Sequence, residues 1–370
     1  MPEDGKLHIS SIDLINFRNY KDARFVFNNS NILLIGDNAV GKTTLLEAIC
    51  LLTGLKSFRT NKHDQLVSWG ESQSAVTALI EGGERLLEMK LVVDEGQRQY
   101  FLNSKRKTIK DLTGMLPAVT FTPDDLFMVK GSSEKRRAFV DNLGSQLSKN
   151  YYLVHSDYRK LVKQKNAALK QEEPQSVIDG INEVLAKVGG QFYRLRIDLL
   201  DRLVPLIEEY FAEITDGKEK IELVYTPSWS DGEHFATKEE ANEALFAAIE
   251  ANKEAEREAQ RVTIGPHKDA ISFLISGNDA QQYASQGQQR SIVLACKIAE
   301  IELVQQTLGQ KPVLLLDDVM SELDEKRRAA FMKQVKNTTQ TFITATNIGY
   351  FNQETLDNSE ILYLGDKSSS

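Results

Sequence analysis

Cysteine is scarce in this chain: Cys50 and Cys296 are the two among 370 residues. Two thiols cannot build a disulfide framework. Both sit in apolar runs of helical spacing, so each reads as a buried free thiol in a reducing compartment. Histidine is sparse too, at five, and neither C-x-x-C nor H-E-x-x-H occurs, so a structural zinc site has no ligand pattern. Long apolar runs are missing: none reaches the roughly 18 residues of a membrane span. The opening MPEDGKLHIS has no basic stretch followed by an apolar one and does not read as a secretory signal. A cytoplasmic protein without a membrane partner is expected. Nor is there an excess of positive charge. The net charge is −8, which excludes a globally basic, histone-like protein and leaves DNA binding to a local basic face.

What remains is an ordinary soluble composition, 41% hydrophobic and 26% charged, long enough for two or three domains with a core that needs no staples. LHISSIDLINF and ARFVFN alternate as strands do, and NILLI is a short buried run. After Gly36 to Thr44, TLLEAICLLTGL repeats at helical spacing. Segments 74–81, 86–93 and 97–102 read as antiparallel strands with turns at Gly82-Gly83 and Glu95-Gly96, and AVTF (118–121) as another. From about 124 to 217 the pattern is helical. Its stretch 176–214 is amphipathic and reads as a long helix pair packed on itself, with Gly189-Gly190 inside. IELVY returns to strand, and 237–259 is an acidic helix. From 261 onward RVTIG, ISFLI, PVLLLDD, TFITAT and ILYL read as strands, with helices at 287–308 and 324–336. The KSSS tail reads as disordered. Strand–loop–helix chemistry at both ends around a helical block implies an α/β domain split by an insertion. The expected division is 1–130, an inserted helical lobe at 131–260, and 261–370.

The sharpest motif is GDNAVGKT, which satisfies G-x-x-x-x-G-K-[ST] and stands between a strand and a helix. Gly36, Asp37, Asn38, Ala39, Val40, Gly41, Lys42, Thr43 and Thr44 are the candidate nucleotide-binding residues. The glycines let backbone N–H groups wrap phosphates, and the helix N-terminus adds its dipole. Lys42 supplies charge to the phosphate oxygens, and the Thr43 hydroxyl is a candidate Mg²⁺ ligand. PVLLLDD is a buried strand ending in two carboxylates. Asp317 is the second candidate Mg²⁺ ligand, and Asp318 is placed to orient or deprotonate water. An acidic strand end facing solvent is the plain alternative, weakened by the phosphate loop in the same chain. The catalytic candidates are therefore Lys42, Asp317 and Asp318, with ATP and Mg²⁺ as cofactors.

A third motif, SQGQQR, precedes a long helix. Ser285 is a natural N-cap. Equally, Ser285, Gln286, Gly287, Gln288 and Gln289 offer a hydroxyl, free N–H groups and a helix dipole, which is a second anion site. Two phosphate-binding helix ends in one chain make sense if the second acts on another molecule's nucleotide.

SQGQQR resembles the signature motif of ABC-type ATPases of the SMC kind, in which one subunit's signature closes on nucleotide held by the other's phosphate loop. The order of phosphate loop, insertion, signature, LLLDD and SELD matches, and Ser321 to Asp324 look like the loop that crosses the dimer interface. LINFRNY, GDNAVGKTTLLEAI, TFTPDDLFMVKGSSEKRRAFVD, GPHKD, SQGQQRSIVLACKIAEIEL, LLLDDVMSELD and FITAT together resemble the RecF family and span residues 12 to 346. The resemblance implies an α/β ATPase head with an inserted helical lobe. It implies an ATP-dependent homodimer that binds duplex DNA near single-strand gaps and hydrolyses ATP slowly. It implies RecR as a partner, with RecO and RecA in the same pathway of DNA repair, replication restart and SOS response. Four departures stand out. Asp318 replaces the usual catalytic Glu, Thr344 and Thr346 stand where a switch His is usual, Thr122-Pro123-Asp124-Asp125 replaces a Q-loop, and Ala39 stands where Gly is common.

Two basic clusters are candidate DNA contacts: Arg159, Lys160, Lys163, Lys165 and Lys170, and Lys105, Arg106, Lys107 and Lys110. Each reads equally as a solvated face. Arg136 and Arg137 fit packing or DNA contact alike. Trp69 and Trp229 do not interleave with the basic runs. Phe17, Arg18, Asn19 and Tyr20 fit either an adenine contact or an exposed turn. Two other classes are open. A transporter ATPase subunit is disfavoured by the non-LSGGQ signature, and an SMC-like tether by the lack of a very long coiled coil.

Overall fold

Alternating apolar residues at the N-terminus pack as an antiparallel sheet in the computed structural model, which describes residues 7–82, 85–230, 232–335 and 340–365. The second glycine of the expected 82–83 turn and the KSSS tail lie outside the described residues. The chain divides into two units. One joins Met1–Leu126 to Glu300–Ser370, and the other is Phe127–Ala299.

In the first unit, β1 (His8–Phe17), β2 (Tyr20–Val26), β4 (Gln73–Gly82), β5 (Arg85–Asp94), β6 (Gln97–Leu102) and β7 (Lys105–Lys107) form an antiparallel sheet in the order β2-β1-β4-β5-β6-β7. A second, parallel sheet takes β3 (Asn31–Ile35), β8 (Ala118–Phe121), β12 (Val313–Asp317), β13 (Gln340–Ala345) and β14 (Glu360–Tyr363) in the order β14-β3-β13-β12-β8. Its central strands are apolar along most of their length, as strands covered on both faces must be. Helix α1 (Lys42–Leu52) is buried at every position except Thr43. It shares one core with Ile12 and Leu14 of β1, Leu91 of β5, Leu315 of β12 and Phe342 of β13, so both sheets pack on it. Short helices α2 (Ile109–Leu112), α10 (Glu325–Val335) and α11 (Gln353–Asp357) complete the unit.

The second unit contains α3 (Ser133–Leu147), α4 (Lys149–Lys170), α5 (Gln175–Thr215), α6 (Lys238–Ala251) and α7 (Lys253–Ala259), with a small sheet β11-β10-β9 from β9 (Ile221–Thr226), β10 (Ala270–Ile275) and β11 (Asn278–Asp279). Helix α8 (Ala280–Tyr283) leads to α9 (Gln286–Leu308). The unit continues to Ala299, past residue 260 where the sequence pattern placed the return to the head. The span expected to fold as a helix pair is one helix, α5, uninterrupted by Pro205. Gly189 and Gly190 in it are packing positions: a Cβ on Gly189 would lie 2.5 Å from Leu245, and one on Gly190 2.7 Å from the Asn242 backbone, both of α6. RVTIG forms no strand. Gly265 there takes φ +117°, and a Cβ on it would meet the Tyr158 hydroxyl at 2.6 Å.

A polar network holds this unit together. Arg196 is buried, pairs with both Asp141 carboxylate oxygens at 3.0 and 3.1 Å, and donates to Pro266 O at 2.7 Å. Asp269 accepts from Ser228 N at 2.7 Å and from the Tyr225 hydroxyl. GPHKD is thus the hub of this network. Arg136 is also buried and donates to the Met128, Val129 and Gly131 carbonyls, a packing role. Both cysteines are buried, and neither is in a disulfide.

Candidate nucleotide-binding site

The phosphate loop bridges β3 and α1, and its backbone explains its composition. Gly41 takes φ +111° and Ala39 φ +67°. Glycine adopts such angles freely, whereas alanine costs about 1 kcal/mol or more there. A Cβ on Gly41 would also strike the Tyr20 hydroxyl at 2.5 Å and Asn19 Nδ2 at 2.9 Å. The turn after β1 is therefore packed against the loop. Lys42 folds back so that Nζ donates to the Gly36 and Asp37 carbonyls at 2.6 and 2.7 Å.

Strand order brings the two acidic residues to this loop. β13 lies between β3 and β12, and Thr344 on β13 joins their ends. Thr344 Oγ1 donates to Asp317 Oδ1 at 3.0 Å and accepts from Asp318 N at 2.9 Å. Thr43 Oγ1 donates to the same Asp317 oxygen at 2.8 Å. Asp318 sits at φ +52°, which breaks the strand alternation and lets two consecutive carboxylates serve one side. Burial raises the Asp317 carboxyl above the usual range, opposed by its hydrogen bonds to Thr43 and Thr344. Burial also raises Asp318, and the charge of Asp317 adds to it. Asp318 Oδ1 is a buried acceptor with no hydrogen-bond partner among the described residues.

A cleft of about 1020 Å³ opens here, lined by Lys42, Thr43, Asp318 and Thr344 together with Arg18, Asn19, Arg59, Asp64, Gln65 and Trp69. Glu47, fully buried in α1, orders the two arginines. Arg18 grips it with two bonds at 2.6 and 2.9 Å, Arg59 Nη1 reaches it at 3.3 Å, and Ser57 Oγ donates at 2.5 Å. One carboxylate thus holds two cations beside the phosphate loop. Sequence reading missed Glu47, Arg59 and the joining role of Thr344. The signals were a lone charge inside LLEAICLL and a hydroxyl at the end of a wholly buried strand. Of the Phe17–Tyr20 turn, Arg18 and Asn19 line the cleft while Phe17 is core. Asp125 spends its carboxylate on Thr122 N and Oγ1, at 2.7 and 3.1 Å.

Hard oxygen ligands from Thr43 and Asp317 fit Mg²⁺ held jointly with phosphates, the usual arrangement for that ion. No cluster of three or more His, Cys, Asp or Glu forms a metal cage among the described residues.

In the second unit, Ser285 and Gln288 exchange hydrogen bonds at 2.8 and 3.2 Å, a capping box on α9. Ser285 and Gln286 are exposed; Gln288 binds Glu219 at 2.7 Å; Gln289 is buried and donates to Ala284 O. Lys165, expected on a basic face, is buried and pairs with Glu256 at 2.5 Å. It lies seven residues from buried Tyr158, on the inward face of α4, and Glu256 of α7 meets it there. Arg159 and Lys160 are exposed and Lys163 is exposed too, as are Lys105 and Arg106. No described helix is long and apolar enough to cross a membrane.

The family model for the RecF/RecN/SMC N terminal domain matches residues 8–363. The DNA replication and repair protein RecF of Gloeothece citriformis is 35% identical over 96% of this chain and 97% of its own. The chain belongs to the RecF family. The RecF of Halalkalibacterium halodurans is 33% identical over 96% of this chain and 97% of its own. The structure of the recombination mediator protein RecF with ATP, in the RecFOR pathway, superposes with a TM-score of 0.87 at 30% identity over 95% of each chain. An Smc head matches with a TM-score of 0.54 at 15% identity, covering 96% of this chain and 93% of its own, and shares the fold.

Proposed function

We propose that this chain is an ATP-operated clamp on DNA in recombinational repair and replication restart. The observation that carries the reading is that Lys42, Thr43, Asp318 and Thr344 line one cleft, with Asp317 hydrogen-bonded to both Thr43 and Thr344. Relatives named for DNA replication and repair, and a similar structure holding ATP, support it.

Each residue then has a task. The loop N–H groups and Lys42 bind phosphate, Lys42 exchanging its two carbonyls for phosphate oxygens. Thr43 and Asp317 would hold Mg²⁺, which neutralises charge on the phosphates. Asp318, with an oxygen unpaired and its carboxyl held above the usual range, orients water or takes its proton. Being one methylene shorter than Glu, it makes for slow turnover, and the chain is read as a weak, DNA-dependent ATPase. Ser285 to Gln289 of a second copy close over the nucleotide, and Ser321 to Asp324 cross between the copies. Duplex DNA near a single-strand gap is gripped in the ATP-bound pair through exposed basic residues and released on hydrolysis. RecR is the direct partner, RecO and RecA act in the same pathway, and the setting is the cytoplasm.

Lys42→Ala tests the site. Charge-assisted bonds to phosphate are the strong ones, so ATP affinity should fall by about tenfold or more with the fold retained. Unchanged affinity in a folded variant refutes the nucleotide site.

A further inference from the structure

We propose that Trp69 is the platform on which the base of the bound nucleotide stacks. The inference rests on the nucleotide-binding reading above and says which part of the ligand goes where.

Trp69 is fully exposed, the most exposed of the large apolar side chains, yet it lines the same cleft as Lys42 and Thr43. Its backbone is tied down. Glu71 N donates to Ser68 O at 3.1 Å, and Gly70 takes φ +87°, so Trp69 occupies the second position of a tight turn that aims its side chain outward. Ser68 Oγ donates to Arg18 O at 2.7 Å, Ser68 N to Asn16 O at 2.8 Å, and Arg18 N to Leu66 O at 3.0 Å. The turn is thereby fixed to the segment whose next residues, Asn19 and Tyr20, abut Gly41. Phosphate loop and indole are held by one short, hydrogen-bonded stretch of chain.

The cleft carries both signs of charge: Lys42, Arg18 and Arg59 suit the phosphates, and Asp64 and Glu71 line it together with Gln65 and Trp69. A stacking surface for single-stranded nucleic acid is flanked by cations that follow the backbone. Asp64 and Glu71 on the lining of this cleft suit an uncharged base with its sugar and disfavour a polyphosphate strand. The cleft, at about 1020 Å³, has room for more than a triphosphate. A purine offers the larger ring face and is the base expected.

The chain has two tryptophans; Trp229 is buried in the second unit and also emits, so Trp69→Ala supplies the background against which the Trp69 emission change is read. The test titrates the full chain with Mg-ATP and with inorganic tripolyphosphate, for wild type, Trp69→Ala and Trp69→Phe, and measures affinity by calorimetry. ATP should change wild-type emission, and tripolyphosphate should not. Trp69→Ala should lose the emission change and bind ATP about five- to a hundredfold more weakly, with tripolyphosphate affinity unchanged. Trp69→Phe should recover most of the ATP affinity. Unchanged ATP affinity in Trp69→Ala overturns the proposal, as does an equal loss for tripolyphosphate. A Trp69→Ala chain that binds ATP normally but no longer pairs with a second copy also overturns it, and assigns the indole to the copy interface. Failure of wild type to bind ATP at all refutes the nucleotide site instead.

Discussion

Thr43 and Asp317, 274 residues apart in the chain, share a hydrogen bond of 2.8 Å. The contact places the first hydroxyl of α1 on the last carboxylate of β12, so that two protein oxygens would be at hand for the proposed divalent cation. Thr43→Val keeps the shape and removes the hydroxyl. Mg²⁺ should strengthen ATP binding to wild type by about tenfold or more and to the variant far less. Binding measured in Mg²⁺ and in EDTA checks this, and an equal Mg²⁺ effect in both proteins removes Thr43 from the ligand set.

Glu47 binds two arginines from inside the core. Glu47→Gln leaves Arg18, itself largely buried, without its anionic partner, and should cost about 3–5 kcal/mol of stability. Arg59→Ala removes a pair exposed on the arginine side and should cost under about 1 kcal/mol. Both should weaken ATP binding. Denaturant unfolding beside ATP titration separates the two effects.

Lys165 belongs to the core, so it is a stability residue. Lys165→Ala should destabilise the second unit by about 3–5 kcal/mol, and Lys165→Met with Glu256→Leu should recover most of it. Neutralising exposed Arg159, Lys160 and Lys163 should leave stability alone and lower DNA affinity, flattening the salt slope by about 0.9 for each DNA phosphate that is no longer neutralised. An unchanged slope moves the DNA face to Lys105, Arg106 and Lys107.

His267 pairs through Nδ1 with the Tyr158 hydroxyl at 2.8 Å, and burial, helped by the charge of Lys268, lowers its pKa to about 4. The folded state therefore resists protonation that the unfolded chain accepts below about 6.5. The stability from neutral His267 is complete above that value and is lost as pH falls toward 4, by up to about 3 kcal/mol. His267→Gln keeps an acceptor for Tyr158 and should lose less stability over the same interval. Parallel curves from pH 7 to 4 would remove His267 from the effect.

The parts of the site legible in the sequence are those whose chemistry is local. G-x-x-x-x-G-K-T between a buried strand and a helix, and four apolar residues ending in Asp317-Asp318, each carry their own context. The Glu47 assembly is not local: Arg18 lies 29 residues before Glu47 and Arg59 12 after it, and no spacing rule joins them. Lys165 misled because composition counts a charge without its face; its seven-residue spacing from Tyr158 was the available clue. RVTIG has the apolar pattern of a strand, but Gly265 needs a left-handed backbone under Tyr158. Gly189-Gly190 resembles a break and is a contact with α6, because a helix supported along its length tolerates glycine where a neighbour comes close.

The proposed closure of two copies of this chain on each other by ATP is read out by sedimentation of Asp318→Asn. That substitution is nearly isosteric, removes one carboxylate charge, and should slow hydrolysis by about 10²–10⁴-fold while sparing ATP binding. With Mg-ATP and a gapped duplex the protein should sediment as a dimer on DNA, and without ATP as a monomer. Adding Ser285→Arg should return it to monomer with ATP still bound. Asp318→Asn that stays monomeric at saturating ATP, or a Ser285→Arg double variant that still pairs, contradicts the account.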